Sequence, residues 1–360
     1  MDKMFKRTLL GVAVAVGSLG VVHAAQLTDN VQLYGQAAGN LYYENKGDSA
    51  KDDTVGVEIE SRIGLRGTQS FNNFSPDFVW QIETGNTDRG ASWDEGWGRF
   101  GGRDTFLGLD FHGVGTIKVG RQLVSIYDYV DWPHSNPGLG NVFDWHNAID
   151  AGYQDRANHV VRFDSADLSG FKYSVSLSKM ESSTDDAVLS FALAYNGDGF
   201  GIHGGAYLGS EITKVTDAKA TLEPDGNIKV TPASSTKSQE SYYLIGGNYS
   251  LTDQISLTAA WKHMINDVND VKRKQDAYSV TASYWANSEW LFKVGYAATT
   301  KAKFGGDTQA NTDSQAITAR ALYVLDPSAV LYFDVRNYDM MGSAKGDDQT
   351  RFLAGIEYYF

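Results

Sequence analysis

The sequence predicts an all-β protein: one antiparallel sheet of sixteen strands, closed into a barrel that spans a membrane. Three observations carry this. Apolar and polar residues alternate along segment after segment, which is the period of a strand with two unlike faces. The segments number sixteen, an even count of the kind found in bacterial single-chain barrels. The links between them alternate along the chain, tight then long, as they do when turns crowd one rim of a barrel and loops the other.

The chain opens Met1-Asp-Lys-Met-Phe-Lys-Arg7, continues with an apolar run from Leu9 to Val22, and reaches Val22-His-Ala-Ala25. A basic start, a short apolar core and small residues at the end describe a secretory signal peptide. The run of 14 residues is too short to span a bilayer. Residues 1–24 are therefore expected to be removed after Ala24 or Ala25, leaving 25–360 as one barrel domain. The formal charge is −13, and losing the net +2 of residues 1–24 takes the mature chain to about −15. There is no cysteine, which suits an exported protein that needs no disulfide. Tyr 20, Phe 17 and Trp 8 make the chain rich in the aromatics that a barrel places at the membrane boundaries. Beyond the signal, no stretch of 18 apolar residues suggests a spanning helix.

In chain order the predicted strands are 31–45, 54–69, 76–86, 103–112, 115–121, 157–164, 170–180, 186–196, 199–211, 239–250, 253–265, 275–287, 288–300, 313–325, 328–340 and 350–360. The second shows the pattern best. Val55, Val57, Ile59, Ser61, Ile63, Leu65 and Gly67 fall on one face; Gly56, Glu58, Glu60, Arg62, Gly64 and Arg66 fall on the other. In the thirteenth, Trp290, Phe292, Val294 and Tyr296 oppose Lys293 and Gly295; in the fifteenth, Leu331, Phe333 and Val335 oppose Tyr332, Asp334 and Arg336. The last has Phe352, Ala354, Ile356, Tyr358 and Phe360 on one side. An apolar outer face toward lipid and a polar inner face toward water explain every case. Arg66, Lys262, Lys293, Arg320 and Arg336 then line a water-filled interior. Tight links such as Gly113-Val-Gly115 and Asn287-Ser-Glu289 alternate with long, charged ones at 46–53, 87–102, 122–156, 212–238, 266–274, 301–312 and 341–349.

The longest link follows the fifth strand. The block Gly115-Thr-Ile-Lys-Val-Gly120-Arg121, then Ile126-Tyr-Asp128, then Pro137-Gly-Leu-Gly140 resembles the general bacterial porins, and the strand count, the signal peptide and the terminal Phe360 extend the resemblance over the chain. The resemblance implies that this third loop folds inward and narrows the pore, with loop acids facing a row of arginines. The matching wall positions are Arg62, Arg103 and Arg156, with Arg66, Arg121 and Glu58 nearby; the loop acids are Asp128, Asp131, Asp144 and Asp150. Opposed rows of charge set up a field across such a gap. It further implies a homotrimer in the outer membrane, contact with its lipid and lipopolysaccharide, and delivery to the barrel-assembly machinery through Phe360. Trp93 and Trp97 in the second loop fit packing against a neighbouring subunit.

Asp131-Trp132-Pro133 departs from the common form of that loop. A pyranose offers C–H groups to a flat aromatic face and hydroxyls to a carboxylate, so Trp132 and Asp131 together suit a passing sugar. The pairing resembles the chitooligosaccharide-specific porins of marine bacteria. Trp132 packing the loop to the wall is the plainer alternative, and Trp145 is weighed as structural. A non-specific diffusion porin, with a cation preference set by the overall charge, is the competing reading; a closed barrel acting as anchor or adhesin is a third.

Enzyme chemistry has no footing. The histidines show neither HExxH nor paired metal spacing, and no GxSxG is present. No cofactor or metal motif appears, and the acidic balance argues against nucleic acid, whose phosphates need Lys and Arg.

Overall fold

The computed structural model describes residues 25–47, 52–85, 100–180, 183–222, 228–341 and 348–360. The expected signal peptide, and Trp93 and Trp97, lie outside the described residues.

Among the described residues sixteen staves close one antiparallel sheet. They are β1 Val31–Lys46, β2 Thr54–Ile59 with Arg62–Phe71, β3 Phe74–Gly85, β4 Thr105–Phe111, β5 Gly115–Leu123, β6 Arg156–Ser165, β7 Phe171–Ser178, β8 Val188–Asn196, β9 Phe200–Gly209, β10 Ser234–Ser250, β11 Ile255–Val268, β12 Val271–Trp285, β13 Trp290–Thr299, β14 Ser314–Asp326, β15 Ala329–Asp339 and β16 Gln349–Tyr359. Each pairs with the next in sequence, and β16 returns to β1 in the register Gln36↔Tyr359 to Lys46↔Gln349, which removes any free edge. Beyond the last stave, Phe360 exchanges backbone hydrogen bonds with Gly35 at 2.8 and 3.1 Å. Gly35 is required there, because a Cβ would stand 2.6 Å from the Arg62 carbonyl oxygen.

All sixteen predicted strands are present. The second pauses at Glu60-Ser61, where Ser61 Oγ accepts the Ala38 N–H at 3.1 Å. The pause does not slip the register: Gly39↔Ile59 and Gln36↔Arg62 keep the same offset, so the faces stay as the sequence assigned them. Val57 is 59% exposed on the outside, while Gln36, Asn40 and Asp334 are buried on the inside. Tyr249, Tyr284, Trp290, Phe292 and Tyr323 gather near the short-turn end, and Tyr243, Trp261, Tyr278 and Tyr296 toward the other, which forms the two aromatic girdles of a membrane barrel. No helix among the described residues is long and apolar enough to cross a membrane, so the strands do the crossing.

The link between β5 and β6 carries a core of its own. It contains two single-turn helices, α1 Tyr127–Val130 and α2 Gly140–Phe143. Val124, Ile126, Leu139, Val142, Phe143 and Ile149 are fully buried against inward-facing Tyr207, Tyr242, Met264, Ala277, Ala297 and Ala316. Glycines on the wall leave seats for it: a Cβ at Gly295 would lie 2.8 Å from Leu139 Cδ1, and one at Gly205 would lie 2.8 Å from Ile126 Cδ1. Polar ties complete the docking. The Ser279 hydroxyl donates to the His134 carbonyl at 2.6 Å, Tyr338 to that of Gly138 at 2.7 Å, Lys262 Nζ to that of Asp144 at 2.8 Å, and Gln275 Oε1 accepts the Ala148 N–H at 2.7 Å. Lys262 and Lys293, expected in the open lumen, face inward but lie buried beneath this segment, and Arg320 is buried with them. The sequence pattern identified their face; it did not reveal that the link covers it.

Candidate functional site

Across the lumen from that segment stands a wall of arginines. Strand alternation turns Arg62 of β2 inward, where Nε and Nη2 donate to Gln36 Oε1 at 2.8 and 2.5 Å. Arg103, just ahead of β4, ion-pairs with Glu83 of β3, whose other oxygen accepts the Tyr34 hydroxyl at 2.8 Å. Arg156, the first residue of β6, clasps both oxygens of Asp104 at 2.9 and 3.3 Å. Arg121 of β5 donates to the Gly102 carbonyl and to Asn158 Oδ1, each at 2.7 Å. Arg66 lies one step toward the short turns, bonded to Gln32 at 3.0 Å, with its guanidinium 4.9 Å from the centre of the Tyr34 ring. Bidentate and amide ties of this kind hold the guanidinium planes in fixed directions.

The loop acids take four different positions. Asp131 is exposed to the lumen, and among the described residues its carboxylate accepts no hydrogen bond. Enclosure by the barrel pushes its pKa up, while Arg62, Arg103 and Arg156 pull it down, so this carboxyl faces the arginine wall. Asp128 is claimed by Arg162 of β6, which also bonds Asp164 at 2.8 Å. Asp144 is buried, accepts the Tyr127 hydroxyl at 2.7 Å, and has its pKa raised by burial to about 8 against the pull of Lys262. Asp150 pairs with Arg273 near the loop rim. Four acids facing one arginine row was the expectation from sequence; the structure gives that position to Asp131 and makes Asp128, Asp144 and Asp150 fastenings of the loop. Glu58 likewise serves the wall, accepting from Arg351 at 2.8 Å and Asn40 at 3.3 Å.

Trp132 is half-buried beside Asp131, with the Lys293 ammonium 5.4 Å from its ring centre. Trp145, weighed as a packing residue, follows α2 and is 59% exposed.

Sequence reasoning did not name Glu83, Asp104 or Arg162. The signal for Arg162 was present, since Val161-Arg162-Phe163 alternates and puts the arginine inward. Glu83 and Asp104 needed the cross-strand register, which no local pattern supplies.

A closed barrel with an apolar belt between aromatic girdles, and a charged inner wall, defines a water-filled channel of the outer membrane. A family model described as Gram-negative porin matches residues 11–343, and the chain belongs to that family. It is 33% identical over 377 residues to a chitoporin of Vibrio furnissii, covering 100% of both chains. It is 23% identical over 381 residues to outer membrane porin F of Salmonella typhi, covering 99% of this chain and 100% of that one. Among solved structures, the anion-selective porin from Comamonas acidovorans has the same fold, with a TM-score of 0.71 at 19% identity over 92% of this chain and 99% of that one. The protein is thus a multi-pass outer-membrane channel and not an enzyme.

Proposed function

We propose that the channel passes small hydrophilic solutes by diffusion and favours chitooligosaccharides. The observation that carries this is the adjacency of Asp131, open to the lumen and faced by three arginines, and the half-exposed Trp132. The indole offers a flat face to a pyranose ring, the carboxylate takes its hydroxyls, and the guanidiniums donate to hydroxyl and acetamide oxygens. The exposed Trp145 adds a second aromatic surface on the same segment. Likeness over the full length to a protein described as a chitoporin supports the same substrate class. In this reading the segment between β5 and β6 is the constriction, residues 1–24 are removed on export, and the barrel works as a homotrimer among lipid and lipopolysaccharide after assembly through Phe360.

A general diffusion porin is the second reading, favoured by the likeness to outer membrane porin F. Recording from single channels separates the two. Chitohexaose added on the loop side should cause brief current blocks whose frequency grows with sugar concentration and which become rare in Trp132→Ala. An undisturbed current at millimolar sugar would leave the general porin standing.

A further inference from the structure

The lumen wall has a recess on the short-turn side of the arginine row, a cavity of about 470 Å³. Its residues come from β1 to β6 and from Gln26, Asp29 and Asn30 just ahead of β1, and pairing fixes the order of those on the strands. Gln32 is opposite Arg66, Arg66 opposite Gln81, and Gln81 opposite Phe106, one row across four strands. One step lower, Val79 is opposite Gly108 and Gly108 opposite Lys118. Phe106 and Val79 form an apolar floor. Gly108 keeps it flat, since a Cβ there would lie 2.6 Å from the Ile117 carbonyl and 3.0 Å from Val79. The far side is closed by Lys118, bonded to Asp164 at 2.6 Å and held 5.0 Å from the centre of the Phe106 ring.

An apolar floor with a rim of planar polar groups matches a sugar ring, which has a C–H face and a girdle of hydroxyls. The volume lies in the range of small-ligand sites, roughly 300–1,000 Å³. Gln32 and Gln81 each carry two donors and an acceptor, which can meet both the N–H and the C=O of an acetamide. The Lys118–Asp164 pair both donates and accepts, and its charges cancel, so a neutral sugar is not disfavoured.

We propose that this recess is a second binding station for a neutral N-acetylated hexosamine unit, on the periplasmic side of Trp132. It rests on the chitooligosaccharide reading above and adds a site that reading does not contain. A sugar arriving from the loop side meets Trp132 first; one arriving from the short-turn side meets Gln81 and Phe106 first. Binding therefore has two doors, each with its own residues.

The test is the on-rate of current block by chitohexaose added to one side at a time, using the full barrel in a planar bilayer. Two variants attack the recess differently: the double change Gln81→Ala with Phe106→Ala strips it, and Thr68→Trp fills it from the rim. Each should lower the on-rate from the short-turn side by about tenfold, the loss of ~1.4 kcal/mol of contact, and leave ion conductance and the on-rate from the loop side unchanged. Trp132→Ala should do the reverse. If wild type is blocked from both sides and neither recess variant alters the short-turn on-rate, the second station does not exist although the substrate reading stands. If wild type is never blocked, the station falls together with that reading.

Discussion

The Tyr127 hydroxyl donates to Asp144 Oδ2 at 2.7 Å, and this bond ties α1 to the end of α2 within the segment that lies on the inner wall. Burial holds the Asp144 carboxyl protonated up to about pH 8, whereas an undocked segment would ionise it near the ordinary value of ~3.9. A raised carboxyl stabilises docking fully below its free pKa and loses that contribution as pH rises through the docked one, at ~1.4 kcal/mol per unit. Open-channel current noise should therefore rise from pH 6 to about 8 and then level off. Asp144→Asn, which cannot ionise, should be flat over that range; the same rise in the variant would remove Asp144 from this role.

His134 has the opposite sign. Its Nε2 lies 2.7 Å from Nε2 of His203, where one proton fits between them, and burial keeps the His134 imidazole neutral down to about pH 3. A free imidazole charges near ~6.5, so docking loses stability as pH falls from there. Asp144, and Asp155 with its pKa raised by burial to about 6, gain at a similar slope over much of that window. Acid loosening in wild type should appear only below about pH 4. Replacing both aspartates by Asn removes the offset and should move the loosening to higher pH. Limited proteolysis of the segment across a pH series measures this; coincident curves would contradict it.

Gly85 stands opposite Arg62, and a Cβ on it would lie 2.8 Å from Arg103 Cδ and 2.9 Å from Arg62 Cβ. Gly85→Val should thus displace two guanidiniums without breaking the sheet. Arg62→Ser should remove one outright, since its bonds go to a neutral amide. Reversal potentials in a salt gradient should show cation preference in wild type and a stronger one in Arg62→Ser. The difference should shrink between 0.1 and 1 M salt as the screening length falls from ~10 to ~3 Å. Anion preference in wild type would show that the arginine wall outweighs the chain's acidic balance, a formal charge of −13.

Asp334 has no exposed surface and takes two guanidiniums, Arg320 at 2.7 and 2.8 Å and Arg336 at 2.6 and 3.1 Å. Asp334→Asn leaves both without their countercharge, a loss of ~3–5 kcal/mol for a buried network. The barrel in detergent should unfold at a lower temperature, seen as its gel mobility shift. Replacing Asp131, whose carboxylate accepts no hydrogen bond among the described residues, should not change that temperature.

The staves were legible because each lipid-facing position must be apolar, and that constraint writes a period of two into the chain. It lapses where a strand leaves the membrane. β10 begins at Ser234, five residues before the predicted start, because Ser234-Ser-Thr-Lys-Ser238 pairs with Ile212–Thr216 above the barrel and needs no apolar face. The fastening of the long link was not legible for another reason. Ser279 and His134 meet across 145 residues, and alternation gives a residue its face but not its opposite number. Lys262 shows the result: its inward direction was readable, its burial under Phe143 and Asp144 was not.

The absence of native cysteine makes the decisive measurement clean. In Asp131→Cys, a bulky neutral thiol reagent added during recording should cut the single-channel current in discrete steps. Leu107→Cys, on the lipid face, should give none. Current unchanged after complete labelling at position 131 would mean that Asp131 and Trp132 do not stand in the conduction path.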